Sequence, residues 1–230
     1  MKIEMLFPEV CNLFGDISNI KYLEKCIPNV EIIKTKINSV PAFVNEKVDM
    51  IYMGPMPEDI QEIVIKKLSL YKERIQELID NNTLFLVTGN AIEVFGKYIE
   101  NEDESKIEAL GIFDIYAKRD MLKRHNSIYL GTYEDIEVVG FKSQFTMAYG
   151  NNENEYFLNT KIGVGLNKDN KLEGLKKNNF IGTYLLGPIL ILNPLFTKKI
   201  LNILGCKEIN IAYEEEVMKA YKTRLEEFKK

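Results

Sequence analysis

The chain of 230 residues carries 30 basic and 34 acidic side chains, a net charge of −4, which excludes the broad positive surface that nucleic acid or an anionic membrane would require. Apolar residues make up 46 % of the chain, enough for a core of ordinary size, and we predict a single domain over residues 1–230. No apolar run approaches the roughly 20 residues that cross a bilayer, and the first ten residues lack the features of a signal peptide, so we predict a cytoplasmic protein without a membrane span.

The first part of the chain predicts strands that alternate with helices. Residues 2–6 and 30–36 have the apolar pattern of strands, and a helical pattern over residues 20–27 lies between them. Residues 49–53 are apolar throughout, as in a strand that is buried on both faces. A helix that starts at Pro57 and keeps its apolar spacing to Ile79 follows this strand.

A fourth strand ends at a turn that is the main candidate for a functional site. The apolar run at residues 84–87 stops at Thr88, and a helix is predicted over residues 91–100. A strand-to-helix turn at the carboxyl edge of a sheet is where an α/β enzyme would hold a nucleophile, and Thr88 is the apex residue that we predict. A hydroxyl needs a base to become a nucleophile, so a plain strand-ending turn is the alternative interpretation.

The second half of the chain changes to short strands separated by turns. We predict a mixed or antiparallel extension of the same sheet from strands at residues 113–118, 126–133, 136–141, 144–149, 156–160 and 161–166. A last strand over residues 180–185, a helix over 194–204 and a charged terminal helix over 212–228 complete the chain. The terminal helix could pack across a surface or against a partner. The alternation of strands and helices indicates an α/β fold whose parallel sheet has helices on both faces.

Cysteine and histidine usage limits the chemistry that this chain can support. Cys11, Cys26 and Cys206 are too few and too irregularly spaced for a disulfide framework or a zinc site, so we predict reduced thiols. His125 is the only histidine, and its charged surroundings in the sequence favour a surface position. We therefore expect no metal and no cofactor.

Four stretches together resemble the class I glutamine amidotransferase family, and within it the cobyric-acid-synthase-like branch that includes GatD. They are residues 12–19, 49–61, 85–96 and 182–194. The resemblance implies a flavodoxin-like fold in which a central, mostly parallel sheet is flanked by helices. It also implies hydrolysis of a glutamine side chain by a cysteine nucleophile and a histidine base, and a Mur-ligase-like synthase subunit as partner in lipid II amidation.

The residues at the family's catalytic positions differ from those that the chemistry requires. The family's elbow motif is similar to Cys-Gly-Gly-Tyr-Gln-Leu-Leu-Gly, and the matching stretch from Thr88 to Gly96 places threonine at the cysteine. The later motif Gly-Thr-Tyr-Leu-His-Gly-Pro is matched from Gly182 onward with Leu186 at the histidine. The resemblance therefore implies that Thr88 and Leu186 occupy the catalytic positions and that both are inactive.

Two further stretches bear on ligand binding. The turn of Gly54 and Pro55 matches the family's oxyanion turn, but proline has no amide hydrogen to donate. Where the family has Gly-Phe-Glu-Asn-His, this chain has Lys142 in place of the glutamate. Polar groups that could line a remaining pocket include Glu93 beside Thr88, and the predicted ligand-binding residues are Gly54, Gly89, Asn90, Arg119 and Lys142. For Arg119 and the nearby Arg124, solvated surface charges remain the alternative.

Three functions are compatible with these residues. The first is a protein of this family without glutaminase activity that binds a partner or a glutamine-like ligand through the inherited pocket. The second is an active enzyme, an amidase that uses Thr88 with a carboxylate such as Glu93 as its base. The third keeps the role in cell-wall amidation, as the companion of a Mur-ligase-like subunit. A carboxylate within about 3 Å of the Thr88 hydroxyl would favour the second function.

Overall fold

Residues 1–229 are described by a computed structural model. Their strands are β1 (Lys2–Leu6), β2 (Glu31–Thr35), β3 (Met50–Met53), β4 (Leu84–Thr88), β5 (Tyr98–Glu100), β6 (Lys106–Glu108), β7 (Ile115–Arg119), β8 (His125–Tyr133), β9 (Ile136–Gln144), β10 (Thr146–Gly150), β11 (Leu158–Ile162), β12 (Leu172–Glu173), β13 (Leu175–Lys177) and β14 (Phe180–Thr183). Their α-helices are α1 (Ser18–Cys26), α2 (Ala42–Asn45), α3 (Glu58–Ser69), α4 (Lys72–Asp80), α5 (Ile189–Leu192), α6 (Pro194–Ile203) and α7 (Glu214–Glu227). Short 3-10 segments lie at Leu13–Gly15 and Gly89–Phe95.

The central sheet has six strands in the order β13-β14-β4-β3-β1-β2. All neighbouring strands in it run parallel except β13, which pairs antiparallel with β14 at one edge. The predicted α/β class with a mostly parallel sheet is therefore confirmed. Strands β3, β4 and β14 lie side by side, so the loops at their carboxyl ends meet at one edge of the sheet, where ligands bind in open α/β sheets.

Alternate residues of the central strands pack into two different cores. Phe85 of β4 belongs to a cluster that contains Val64 and Leu68 of α3, whereas Leu86 belongs to a cluster with Leu23 of α1 and Phe196 of α6. The sheet is thus covered by helices on both faces, as its continuous apolar strands predict. Burying each of these large side chains contributes about 1.5–3 kcal/mol, so the two layers hold the carboxyl edge in place.

Strands β5–β12 form two further sheets, while β13 is the antiparallel extension of the central sheet. One has the strand order β10-β7-β5-β6 and the other the order β12-β11-β8-β9. All their pairings are antiparallel except that of β5 with β7. The predicted strands at residues 156–160 and 161–166 are the single strand β11. The local sequence pattern predicted most of these strands, but it could not show which strands pair with one another.

Two helix predictions differ from the structure. The helix predicted over residues 91–100 is a 3-10 segment that ends at Phe95, followed by β5. Gly96 lies between these two elements. A Cβ atom there would lie 2.8 Å from the Ile115 carbonyl oxygen, which favours glycine, and the extended backbone of Gly96 leads into β5. The long helix predicted from Pro57 is divided into α3 and α4 at Leu70 and Tyr71.

The terminal helix packs on its own chain. The Tyr221 hydroxyl donates to the Glu137 carbonyl oxygen at 2.6 Å, and Leu225 and Phe228 pack with Val139 of β9. Its apolar side is therefore occupied, which leaves mainly charged residues for any partner. In the part of the chain that the structure describes, no helix is long and apolar enough to span a membrane.

Candidate functional site

The turn after β4 is sharpest at Gly89 and not at Thr88. Thr88 has an extended backbone (φ −122°, ψ 153°) and pairs with Thr183 of β14, whereas Gly89 has φ +61°. Only glycine adopts this left-handed conformation without a steric penalty. The prediction that Thr88 forms the apex is thus corrected by one residue, because the strand continues through Thr88 before the chain bends.

A side chain at position 89 would point at Pro55 and Leu186. A Cβ atom built on Gly89 would lie 2.6 Å from Pro55 Cβ and 3.2 Å from Leu186 Cδ2. Counting back from Gly96, the eight-residue elbow motif also begins at Gly89. The bend therefore lies at Gly89, which has no side chain, and Leu186 faces it.

Thr88 instead takes part in a buried hydrogen-bonded cluster. Its hydroxyl donates to Asp16 Oδ2, which also accepts a hydrogen bond from the Tyr52 hydroxyl at 2.7 Å. All three residues are at most 2 % exposed, and burial raises the pKa of the Asp16 carboxyl. Asp16 lies in the stretch 12–19 that resembles the family, and nothing in the sequence pattern indicated its contact with Thr88.

Glu93 lies in a second buried cluster directly behind the turn. Its carboxylate accepts hydrogen bonds from Gln61 Nε2 at 2.9 Å, from the Tyr184 hydroxyl at 2.9 Å and from the Thr146 hydroxyl. Burial raises the pKa of Glu93. Because its partners come from α3, β10 and the segment after β14, Glu93 fixes the turn against three other elements. It is not the hydrogen-bond partner of Thr88, as the amidase hypothesis had suggested.

Two of the three positions in the turn 54–56 offer no free backbone donor. Pro55 has no N–H group, and the Met56 N–H donates to Asn90 Oδ1 at 3.0 Å. Asn90 Nδ2 returns a hydrogen bond to the Met56 carbonyl oxygen at 2.7 Å. Asn90 therefore closes the turn rather than leaving a donor for a developing negative charge. Gly54 allows a close approach, since a Cβ there would lie 2.7 Å from the Cys11 carbonyl oxygen.

Lys142 does not reach a ligand cavity, contrary to its prediction as a binding residue. Its side chain is fully buried, its ammonium group lies 3.3 Å from Glu173 Oε1, and it donates to the Gly165 carbonyl oxygen at 2.6 Å. The same group lies 5.6 Å from the ring centre of Tyr129 and 5.4 Å from that of Tyr184. Burial lowers the pKa of Lys142. The ammonium group of Lys142 is therefore paired inside the protein with Glu173 and the Gly165 carbonyl oxygen.

The cavity at the turn is small. It has a volume of about 50 Å³ and is lined by Gly89, Asn90, Gln144, Phe145, Tyr184 and Leu186, among others. Small-molecule sites usually measure about 300–1,000 Å³, so the cavity at the turn lies well below that range.

Arg119 and His125 lie outside this small cavity. Arg119 donates to Gln61 Oε1 at 2.8 Å and to Asn101 Oδ1 at 3.0 Å. Its guanidinium group therefore links β7 to α3 and to the segment after β5. His125 Nε2 lies 3.1 Å from the Ser127 hydroxyl, and burial lowers the His125 pKa. Neither contacts Thr88. Within residues 1–229, no group of three or more metal-ligating side chains is clustered.

Comparison with known sequences points to one family. The model of the CobB/CobQ-like glutamine amidotransferase domain matches residues 2–193. The chain is 27 % identical over 205 residues to the lipid II isoglutaminyl synthase (glutamine-hydrolyzing) subunit GatD of Staphylococcus aureus strain N315, covering 88 % of this chain and 83 % of that protein. It is 25 % identical over 204 residues to the subunit of the same name from Streptococcus pneumoniae strain ATCC BAA-255 / R6, covering 84 % and 76 %.

Solved structures agree on the fold. A chain in the structure of PurLQS from Thermotoga maritima superposes with a TM-score of 0.57 at 12 % identity, covering 97 % of this chain and 98 % of that one. A crystal structure of a glutamine amidotransferase gives a TM-score of 0.58 at 11 % identity, covering 88 % and 98 %. At these identities the likeness concerns the arrangement of strands and helices alone.

Proposed function

Because the chain belongs to the CobB/CobQ-like glutamine amidotransferase family, we propose that it is a GatD/CobQ-type protein that does not hydrolyse glutamine and acts as a binding or partner subunit. The observation that carries this proposal is Gly89, which stands at the bend with Pro55 and Leu186 in front of it. A nucleophile, a base and a backbone donor are each replaced by a residue that cannot perform the role.

The expected loss of rate is too large for the remaining groups to offset. Loss of one oxyanion donor costs about 10²- to 10³-fold, and loss of a nucleophile and base that act together costs about 10⁶-fold. The small cavity adds a second obstacle, since its volume lies well below that of usual small-molecule sites. We therefore expect glutamine hydrolysis at the background rate.

Binding to a partner subunit would give a protein without glutaminase activity a function. The two relatives from Staphylococcus and Streptococcus are named as subunits of a lipid II isoglutaminyl synthase. By analogy we propose that this chain docks on a Mur-ligase-like synthase in the cytoplasm and takes part in cell-wall amidation. Phe14 and Leu13, which are 51 % and 37 % exposed at the rim of the small cavity, would supply apolar contact area. The free thiols of Cys11, Cys26 and Cys206 fit a reducing compartment.

An amidase that uses Thr88 is the second candidate, because the Asp16 carboxylate accepts a hydrogen bond from the Thr88 hydroxyl. A nucleophile–base pair would make the same contact. Two observations oppose this function. Thr88 is completely buried, and neither Thr88 nor Asp16 lines the cavity at the turn. We interpret the pair as a structural link between β4 and the loop before α1.

Ammonia release from L-glutamine tests the proposal. Purified protein should release no more ammonia than a buffer blank, and Thr88→Ala should behave identically. The glutamine-hydrolyzing GatD subunit of Staphylococcus aureus, assayed in parallel, shows that the conditions detect hydrolysis. Release by the unmodified chain that disappears in Thr88→Ala would establish the amidase instead. Release that persists in Thr88→Ala would contradict both candidates and indicate an active amidotransferase subunit.

A further inference from the structure

A larger cavity lies beside the turn and carries a local excess of positive charge. Its volume is about 370 Å³, within the range of small-molecule sites. Five of its lining residues are always cationic at neutral pH, and two are acidic, although the whole chain has a net charge of −4. The cations are Lys118, Arg119, Lys123, Arg124 and Lys168, and the acids are Asp120 and Asp169.

Four of these cations have no carboxylate partner in the described part of the chain. The ion pairs of residues 1–229 include Lys118 with Glu100 at 2.8 Å, but none involves Arg119, Lys123, Arg124 or Lys168. The Arg124 guanidinium lies over the Phe145 ring, 4.4 Å from its centre, which restricts its motion. The cavity therefore presents unneutralised charge, part of it on a side chain that is already ordered.

A buried amide supplies a second, independent feature. Gln144 is 6 % exposed and lines the cavity, and its Nε2 donates to the Thr146 carbonyl oxygen at 2.6 Å. Its Oε1 atom is buried and has no hydrogen-bond partner within residues 1–229. The Nε atom of Arg119, another lining residue, is also buried without a partner. Gln144 and Arg119 therefore make the wall of the cavity polar as well as positively charged.

We propose that this cavity binds a small phosphate-bearing molecule. The phosphate would contact Lys123, Arg124 and Lys168. A free amino acid fits less well, because its ammonium group would meet the same excess of positive charge. The site is distinct from the turn of Gly89, although Arg124, Gln144 and Phe145 line both cavities.

Isothermal titration calorimetry with inorganic phosphate and with inorganic pyrophosphate, at low ionic strength, measures binding at this site. We expect saturable binding of one equivalent, tighter for pyrophosphate because it carries more charge. The double variant Lys123→Glu/Lys168→Glu should weaken binding about tenfold or more, since two attractive charges become repulsive. Both residues are exposed, so the variant should fold normally. The matched control is Lys219→Glu/Lys222→Glu on α7, two exposed lysines outside the cavity whose replacement changes the net charge by the same amount.

Several results would overturn the proposal. Absence of saturable binding would do so, and so would an equal loss of affinity in Lys219→Glu/Lys222→Glu, which would indicate attraction by net charge alone. Displacement of pyrophosphate by L-glutamine would assign the cavity to the amino acid instead. None of these results depends on ammonia release, so the site and the proposed loss of hydrolysis can fail separately.

Discussion

Replacing Lys142 with methionine should lower the free energy of unfolding by about 3–5 kcal/mol, because it leaves the carboxylate of Glu173 buried without its cation. Both side chains are fully buried, so water cannot take over the lost interaction. Methionine fills much of the space of the lysine stem, which keeps the loss of packing small. Urea denaturation followed by circular dichroism measures the change.

Two matched variants separate the buried charge from other effects. Adding Glu173→Gln to Lys142→Met removes the uncompensated charge while one amide oxygen can still accept from Thr183 or Tyr184, so part of the stability should return. Lys161→Met breaks the exposed pair with Glu137 and should cost about 1 kcal/mol or less. Equal losses in Lys161→Met and Lys142→Met would contradict the assignment of Lys142 to the interior.

Gly89→Ala should destabilise the protein by about 2–5 kcal/mol. A left-handed backbone costs a residue with a Cβ about 1–2 kcal/mol, and the contact of that Cβ with Pro55 at 2.6 Å adds an overpacking penalty of about 1–3 kcal/mol. Thermal and urea unfolding of the two proteins measure the difference. The result would show that no side chain, and therefore no nucleophile, fits this position in the present fold.

Gly205→Ala is the control for this variant. Gly205 has φ +74°, but nothing lies within 4 Å of a Cβ built there, so only the backbone penalty applies. Pro55→Gly/Gly89→Ala should recover the overpacking part, because the obstructing Cβ is gone. If Gly89→Ala costs no more than Gly205→Ala, position 89 has room for a side chain and the described geometry of the turn is wrong.

The central sheet could be predicted because its signals are local. The apolar runs that became β1, β3 and β4 are separated by helical patterns, and each core-facing residue follows from alternation along a strand. The two antiparallel sheets were not separated from it, since strand partners depend on contacts far apart in the chain. The 3-10 segment Gly89–Phe95 was predicted as helix because its apolar spacing suits both structures.

The site was predicted in outline and misplaced in detail. The sequence indicated that Leu186 would lie near the turn, but it placed the bend at Thr88 because the apolar run of β4 stops there. The positive φ angle of Gly89 places the bend at that residue, and a sequence alone does not give this angle. The contact of Thr88 with Asp16 and the internal ion pair of Lys142 join residues that are far apart in sequence, which a single sequence does not reveal.

Covalent labelling tests the central claim most directly, namely that the bend holds no nucleophile. The protein would be incubated with 6-diazo-5-oxo-L-norleucine, an electrophilic analogue of glutamine, and its intact mass would then be measured. The glutamine-hydrolyzing relative from Staphylococcus aureus is the positive control. We predict an unchanged mass for this chain. A stoichiometric adduct that peptide mapping places on Thr88, or on any residue lining the cavity at Gly89, would contradict the account.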